Sequence, residues 1–555
     1  MSMSLMFPRL LRNVAAEPFL RARSFQHHIR FSSRMASKGR SYEDAIALLD
    51  ALQSNRTIVS SISKTSKDMN MYAIPEMLEW TRKAGYETGD FSRRGLKCIH
   101  VAGTKGKGSV CAMIDNILRQ YRCEESDVGV VVPGDTKRKG LGKIGLYTSP
   151  HLMTVRERIR IDGSPISEPL FARYFFELWD RFSDASSVST TPHSNPTSSD
   201  TKPGYFRYLT IMALHTFMEE SVETAIMECG IGGEYDSTNI LPAEAVTTTA
   251  ITKLGIDHVG MLGDTIDKIA WHKAGIMKKN IPCFTSPQLQ AAQSVLENRA
   301  KEIGVKLEVV NRHSGFDNGT IELGTEGDFQ KDNASLAMAV AASHLQDLCI
   351  QDVPTPSGLF TLEQPIPGQI LEGIKTAKWA GRCEVVVTGN ITWFIDGAHT
   401  VDSIKETGHW YASKLNQAAA EGDSPTKSML IFNQQDRDPG ILIRTLLENI
   451  HISFRAFDFA AFCTNIPFKS EGVDKGIIDL SQQESASKLY SSLDRSPMCM
   501  EYASIEEAVE LVHRVSEDEE RFFVLVTGSL HLVGGLMKVL EYQSKKEGEV
   551  QKLSQ

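Results

Sequence analysis

LKCIHVAGTKGKGSVCAMIDNIL, residues 96–118, decides the class of this fold. It opens with a short apolar run. A loop with glycines at 103, 106 and 108 and lysines at 105 and 107 follows, and then Val110, Met113, Ile114, Ile117 and Leu118 recur at helical spacing. The order reads as strand, glycine loop and amphipathic helix. Glycines let the backbone curl so that successive N–H groups and the helix N-terminus face an anion. A lysine adds point charge, and a hydroxyl such as that of Ser109 can ligate Mg²⁺. Gly106, Lys107, Gly108 and Ser109 are therefore the expected phosphate cradle. The spelling departs from the common P-loop, because two rather than four residues separate the first two glycines and Gly108 stands between Lys107 and Ser109. A plain flexible turn would not need two lysines among three glycines.

Outward from this stretch, apolar runs at 224–228, 245–252, 392–395, 429–432, 455–462 and 522–527 end in Gly, Asp, Asn or polar clusters, with helical patterns between several of them. Such alternation predicts parallel α/β sheets, whose ligands gather beyond the carboxyl ends of the strands. Residues 184–204 are rich in Ser, Thr and Pro with almost no large apolar side chain, the composition of a disordered surface insertion. Pro354, Pro356, Gly358, Pro365, Pro367 and Gly368 mark a domain linker over 353–378. The expected organisation is a leader over 1–40, a first domain over 41–352, and a second over 379–545.

The composition excludes several classes. With 555 residues, 41% hydrophobic, and a net charge of −9, the chain is neither disordered throughout nor basic enough to bind nucleic acid in general. No run reaches the ~18–20 apolar residues of a membrane span. Nine cysteines lack any CxxC pair, so neither a disulfide framework nor a zinc ribbon fits. Residues 1–34 hold six arginines and one acid, Glu17, which is transit-peptide composition. Met35 opens the acidic body. Two destinations are expected: the mitochondrion, and the cytoplasm by initiation at Met35.

Chemistry-bearing residues stand just past the apolar runs. Glu228 closes TAIME before a glycine turn, where a magnesium ligand belongs; a strand-end Glu is otherwise a helix cap or a solvated charge. Asp257 and His258 follow 245–256, and His258 by itself reads as a hydrogen-bonded loop histidine. An Asp264-capped helix over 264–279 carries Ile266, Ile269, Ala270 and Met277 on one stripe, with Lys273 on it as well. That lysine either snorkels or turns inward toward the site. Asp396 and His399 sit past a strand, and Arg382 stands just after the linker, placed to reach a phosphate as domains close. A turn acid and a surface ion pair are the alternatives.

The motifs GTKGKGS (103–109), YTSPHLMTVRERI (147–159), ECGIGGEYDSTN (228–239), KAGI (273–276), DGAH (396–399) and VTGSLHLVGG (526–535) together resemble the folylpolyglutamate synthase family, relatives of the Mur ligases. The resemblance runs from about residue 41 to 540. It implies a P-loop NTPase-like, parallel-sheet ATPase domain joined to a smaller Rossmann-like α/β domain, with the site between them. The implied reaction is ATP-dependent addition of L-glutamate to the terminal γ-carboxylate of tetrahydrofolate and its polyglutamates through an acyl phosphate, releasing ADP and phosphate. Gly106, Lys107, Gly108 and Ser109 would hold ATP; Ser109 and Glu228 one Mg²⁺, and His258 a second. Lys273 matches a carbamylated lysine, and a monovalent cation is a further expectation. Asn333 resembles an adenine-side asparagine, Arg382 would contact phosphate, and Asp396 with His399 the ribose side. Thr148, Ser149, Pro150 and His151 resemble the loop that approaches the folate. Thr400 and His272 depart from many relatives, which carry Asn and an acid there. A monomer is expected, with no nucleic acid and no membrane span. Dihydrofolate synthase or a bifunctional enzyme is the nearest rival reading, and a P-loop nucleotide switch a more distant one.

Overall fold

The computed structural model describes residues 40–62, 72–124, 127, 137–188, 195–361, 365–435, 437–450, 457–469, 478–494 and 497–553. The Arg-rich leader, Met35 and residues 189–194 lie outside the described residues. Fourteen strands are described: β1 (Lys97–Ala102), β2 (Ile144–Tyr147), β3 (Ile159–Ile161), β4 (Ser164–Pro165), β5 (Thr224–Glu228), β6 (Val246–Ile251), β7 (Cys283–Thr285), β8 (Leu307–Val309), β9 (Glu384–Thr388), β10 (Ile391–Ile395), β11 (Lys427–Phe432), β12 (Phe459–Cys463), β13 (Met498–Tyr502) and β14 (Phe522–Thr527). They form two sheets, ordered β4-β3-β2-β5-β1-β6-β7-β8 and β13-β12-β11-β14-β10-β9. Pairing is parallel except where β3 meets β2 and β4, and where β9 meets β10. The expected α/β class holds in both lobes.

β1 is central in the first sheet, flanked by β5 and β6, with Val101 level with Glu228 and Ala102 level with Ile251. That register brings the glycine loop, Glu228 and the segment after β6 to one edge. On one face of the sheet, Phe171, Tyr174, Phe175, Phe182, Tyr208 and Phe217 are almost fully buried. Each such ring contributes roughly 1.5–3 kcal/mol by leaving water. On the other face, the helices Lys107–Arg119 and Phe329–Asp347 pack together. The second of these is buried nearly all round, which explains why its middle is alanine rather than one apolar stripe.

Three expectations change. The helix expected over 264–279 is shorter at both ends, Ile266–Ala274, and a separate short helix, Val259–Leu262, precedes it. Asp264 does not cap it; its Oδ1 pairs with Lys268 Nζ at 2.9 Å, and the helix ends at Gly275, where a side chain would strike Glu234. The Pro/Gly-rich stretch expected to be a linker includes the helix Gly368–Lys375. Ile370 and Ile374 are buried in the first lobe's core, and Gly373 backs onto Ile117, so the chain crosses between lobes near 379–382 instead. The Ser/Thr/Pro-rich insertion is ordered on both flanks: the helix Glu168–Ser187 runs into it, and Thr201 and Lys202 are buried. Lys202 Nζ donates to the carbonyls of Pro196 and Ser198 at 2.8 and 3.2 Å and lies 4.7 Å from the Trp179 ring. One ammonium thus gathers backbone acceptors where apolar side chains are scarce.

The lobes are tied at two places. Glu326 accepts from Trp410 Nε1 at 2.8 Å and Lys414 Nζ at 2.6 Å. Elsewhere, Leu152 packs on the second lobe's core, with its carbonyl against Gly534. Among the described residues no helix is long and apolar enough to cross a membrane.

Candidate active site

Between the lobes lies a cavity of about 3200 Å³. Its wall includes Gly106, Lys107, Gly108, Ser109, Thr148, Ser149, Pro150, His151, Glu228, His258, Asn333, Arg382, Asp396 and His399, so residues from both lobes converge on one crevice. Lys273 does not line it, although Trp271 and His272 do.

The cradle is held by the residues just after β6. Thr252 Oγ1 donates to the Lys105 carbonyl at 2.6 Å, and the N–H groups of Thr104 and Lys105 donate to the Lys253 carbonyl. Gly106 has φ +84°, a conformation that costs a residue with a side chain, and an added Cβ would strike the Asn333 amide. Gly106 then starts the helix Lys107–Arg119, turning its N-terminus toward the cavity. Neither Lys107 nor Arg382 pairs with a carboxylate among the described residues. Two cations from opposite lobes thus face the cleft.

Glu228, 3% exposed, accepts from the Ser149 N–H at 2.9 Å. Burial raises its pKa, opposed by Lys107, by that hydrogen bond and by Arg382. A buried carboxylate and the Ser109 hydroxyl on the same cavity wall offer hard oxygen donors, a set that fits Mg²⁺. Among the described residues no three or more His, Cys, Asp or Glu gather as a metal cluster, so phosphate oxygens and water would complete the shell. His258, in the left-handed region at φ 50°, donates its N–H to Asp257 Oδ1 at 2.9 Å. Burial lowers its pKa, Asp257 partly offsetting this, which leaves a neutral imidazole able to ligate.

Lys273 lies behind the loop, 3% exposed, with Nζ donating to the Gly103 carbonyl at 2.6 Å. Burial first, and Lys107 second, bring its pKa down to about 7. The ammonium is therefore buried against the loop backbone rather than snorkelling to water, and it stops short of the cavity wall.

In the second lobe Asp396 spends both oxygens on the turn around it. Oδ2 accepts from the Cys383 N–H at 2.8 Å; Oδ1 accepts from the Ala398 N–H and Thr407 Oγ1, each at 2.9 Å. These bonds fix Cys383, at φ 45°, and with it the direction of Arg382. His399 donates from Nδ1 to the Gly397 carbonyl at 3.1 Å, which leaves Nε2 to the cleft as an acceptor. Burial, with Lys105, Arg382 and Arg437 nearby, pushes its pKa down to about 4, against the pull of that carbonyl. His151 accepts on Nδ1 from Arg158 Nε at 3.0 Å, and burial and Arg158 push its pKa down to about 4.

Sequence reading passed over several residues of the site. Arg437 and Glu157 are among them, and so is Gln330, which is buried rather than on the wall. Arg437 follows β11 closely, so the strand-end rule could have found it. Glu157 accepts from the N–H groups of Leu152, Met153 and Thr154 at 2.9, 3.0 and 2.7 Å and so holds the 148–152 loop in shape. Nothing local marks Gln330.

Fold and site define a two-lobed α/β protein of the nucleotide-dependent ligase class, with its phosphate cradle facing a second lobe across a cleft. The family described as Dihydrofolate synthetase, C-terminal domain, matches residues 381–539. The folylpolyglutamate synthase of Saccharomyces cerevisiae (strain FostersO) is 39% identical over 518 residues, covering 91% of this chain and 87% of that protein. The solved structure of Mycobacterium tuberculosis folylpolyglutamate synthase complexed with ADP superposes with a TM-score of 0.61 at 21% identity, covering 89% of this chain and 98% of that one. The apo form of L. casei FPGS gives 0.61 at 19% identity, over 90% and 99%. The chain belongs to the folylpolyglutamate synthase family.

Proposed function

We propose that this protein is an ATP-dependent ligase that adds L-glutamate to the γ-carboxylate of tetrahydrofolate and its polyglutamates, releasing ADP and phosphate. One observation carries the reading: Lys107 from one lobe, Arg382 from the other and the buried Glu228 carboxylate all line the wall of one cleft. Cations on opposite walls suit a phosphoryl group in transfer, whose charge spreads over its oxygens. The relative of known name is a folylpolyglutamate synthase, and neighbours of the same fold hold ADP in one case and AMPPCP with folate in another.

In this reading the terminal carboxylate oxygen of the folate attacks the γ-phosphorus of ATP. The bond to the ADP oxygen breaks, and an acyl phosphate forms. The glutamate amine then attacks the acyl carbon, loses a proton, and expels phosphate. Lys107 and Arg382 hold the phosphoryl oxygens. His399 Nε2 and Asn333 orient the nucleoside, while the loop 148–152, held by Glu157, presents the folate. Enclosure between lobes keeps water from the acyl phosphate, and holding amine and acyl group together is worth effective molarities of ~10⁵ M or more. Mg²⁺, held by Ser109 and Glu228 with a second ion at His258, would supply charge neutralisation at the phosphates.

Carbamylation of Lys273 belongs to the same proposal. A neutral amine attacks carbon dioxide and loses a proton, and the depressed pKa of Lys273 supplies that amine near neutrality. The Arg-rich residues 1–34 support a mitochondrial form, and initiation at Met35 a cytoplasmic one; a tagged chain lacking 1–34 that still enters mitochondria would refute this.

The test incubates purified protein with MgATP, glutamate and either tetrahydrofolate or dihydropteroate, reading products by mass spectrometry. Glutamyl additions to tetrahydrofolate are expected. Additions to dihydropteroate alone would favour the second reading, dihydrofolate synthase, which the name of the matching C-terminal family motivates.

A further inference from the structure

Gln330 is a part of the cleft's framework that the cradle motifs do not explain. It lies in the first turn of the helix Phe329–Asp347 and is fully buried. Its amide is used at both ends. Nε2 donates to Ser109 Oγ at 3.3 Å, and Oε1 accepts from Asn333 Nδ2 at 2.8 Å. Asn333 in turn lies against Gly106. One side chain therefore joins a cradle hydroxyl, an amide of the facing wall and, through that amide, a cradle glycine.

The turn that carries Gln330 is pinned from outside. Arg312 donates from Nε and one terminal nitrogen to Asp332 at 2.9 and 3.1 Å, and from both terminal nitrogens to Asp328 at 3.1 and 2.9 Å. Two forked contacts, four residues apart on one helix face, resist rotation of the first turn. The backbone of Gln330 is thereby held, and its amide orientation is shared between Ser109 and Asn333, so a change at either partner is felt at the other.

The hydroxyl chemistry gives this link a purpose. A serine hydroxyl has one donor and two acceptor positions. With Gln330 donating to one acceptor position, the proton and the other lone pair are confined to the two remaining positions of a hydroxyl that lines the cleft. Asn333 keeps its second N–H and its carbonyl for a ligand.

We infer that Gln330 is a positioning residue that couples the Asn333 end of the nucleotide site to the Ser109 end, so that a nucleotide seated at one organises the other. This rests on reading the cleft as the MgATP site. Groups in one hydrogen-bond network depart from additivity, and the departure expected here is roughly fivefold or more in affinity.

The experiment measures MgADP affinity of the full chain by calorimetry for Ser109→Ala, Asn333→Ala and the double variant, with Gln330 present and again with Gln330→Met. With Gln330, the two single effects should fail to multiply by roughly fivefold or more; with Gln330→Met they should multiply simply. Simple multiplication in the presence of Gln330 would overturn the inference. So would a departure of the same size after Gln330→Met, because the coupling would then run elsewhere. A purely structural role shifts melting temperature and affinity without changing how the two effects combine. Should Gln330→Met fail to fold by circular dichroism, the same cycle in Gln330→Leu decides. Failure of the unsubstituted chain to bind MgADP would instead remove the reading of the cleft itself, so the two failures are distinct.

Discussion

Arg437 of the second lobe donates to Oδ1 of Asp257 in the first at 2.9 Å, and Lys105 of the cradle reaches Oδ2 of the same carboxylate at 3.3 Å. Asp257 is 8% exposed, and burial alone would raise its pKa; Lys105, Arg437 and His258 reverse that, holding the carboxyl well below its usual range. A loop that must meet a phosphate is thus fastened through one carboxylate to the lobe that closes over it.

Replacing Arg437 by Met leaves Asp257 with Lys105 and the His258 N–H. Because Arg437 is partly exposed, the loss is about 1 kcal/mol after screening, or several-fold in kcat/KM for ATP. Steady-state rates across a salt series check it: the dependence on ionic strength should be shallower in the variant than in the parent.

Gly106→Ala forces a side chain into the left-handed region, which costs about 1–2 kcal/mol, and drives a methyl group into the Asn333 amide. Nucleotide affinity should fall at least about tenfold. Circular dichroism should be unchanged. Fluorescence titration with a labelled nucleotide measures the difference.

Glu228→Gln removes a buried charge while keeping an oxygen for the Ser149 N–H. Its raised pKa marks an ionised form that burial disfavours, so the amide should not lower, and should slightly raise, the melting temperature. Turnover should drop about a hundredfold, as for loss of an electrostatic catalytic group. The Mg²⁺ concentration for half-maximal rate should also rise. Thermal scans and a Mg²⁺ titration together separate the two effects.

Lys273 titrates near pH 7, so its reactive neutral fraction grows as pH rises through that value. Enzyme stripped of carbon dioxide should regain activity on adding bicarbonate, faster at pH 8 than below pH 7. Lys273→Ala should lose most turnover with or without bicarbonate, and near-normal product formation by that variant would reject the modified-lysine role. Progress curves and mass spectra of the unsubstituted protein under alkaline native conditions test the modification.

His344 supplies a pH signature of stability. Burial pushes its pKa down to about 3, and its ring is shared between Thr224 Oγ1 at 2.9 Å and Thr247 Oγ1 at 2.7 Å. Thr247 Oγ1 donates to the Cys98 carbonyl, so it accepts from Nδ1–H, and Nε2 accepts from Thr224. A second ring proton would break that arrangement. The unfolded histidine takes up its proton near pH 6.5 and the folded one only near 3, so the stability is present above 6.5 and is lost as pH falls between those values. His344→Gln should flatten the unfolding free energy over pH 6 to 4 by up to ~1.4 kcal/mol per pH unit. It should lower stability at pH 7.5 by about 1–2 kcal/mol. Urea titrations at several pH values read both.

Legibility follows the range of the interaction. The cradle was readable because strand, loop and helix are contiguous, and glycine and lysine spacing is itself the anion site. Glu228, His258 and His399 were readable because strand ends mark the ligand edge of a parallel sheet, and Arg382 because it follows the Pro/Gly-rich stretch. The three misplaced segments show the limit. Whether a Pro/Gly-rich stretch is a free linker depends on Ile117 and Asn116 more than two hundred residues earlier. The order of a Ser/Thr-rich loop depends on one lysine finding its carbonyls.

Local chemistry along the chain therefore settles which backbone can curl round a phosphate, which runs form buried strands, and which family the motifs resemble. Those properties arise among neighbours a few residues apart. The folded molecule alone settles that Arg437 meets Asp257, that Gln330 links Ser109 to Asn333, and that Lys273 lies beneath Gly103 rather than in solvent. Polar partners of that kind carry no periodicity, and their pairing is decided by which strand edges and helix ends the packed core brings within hydrogen-bond reach.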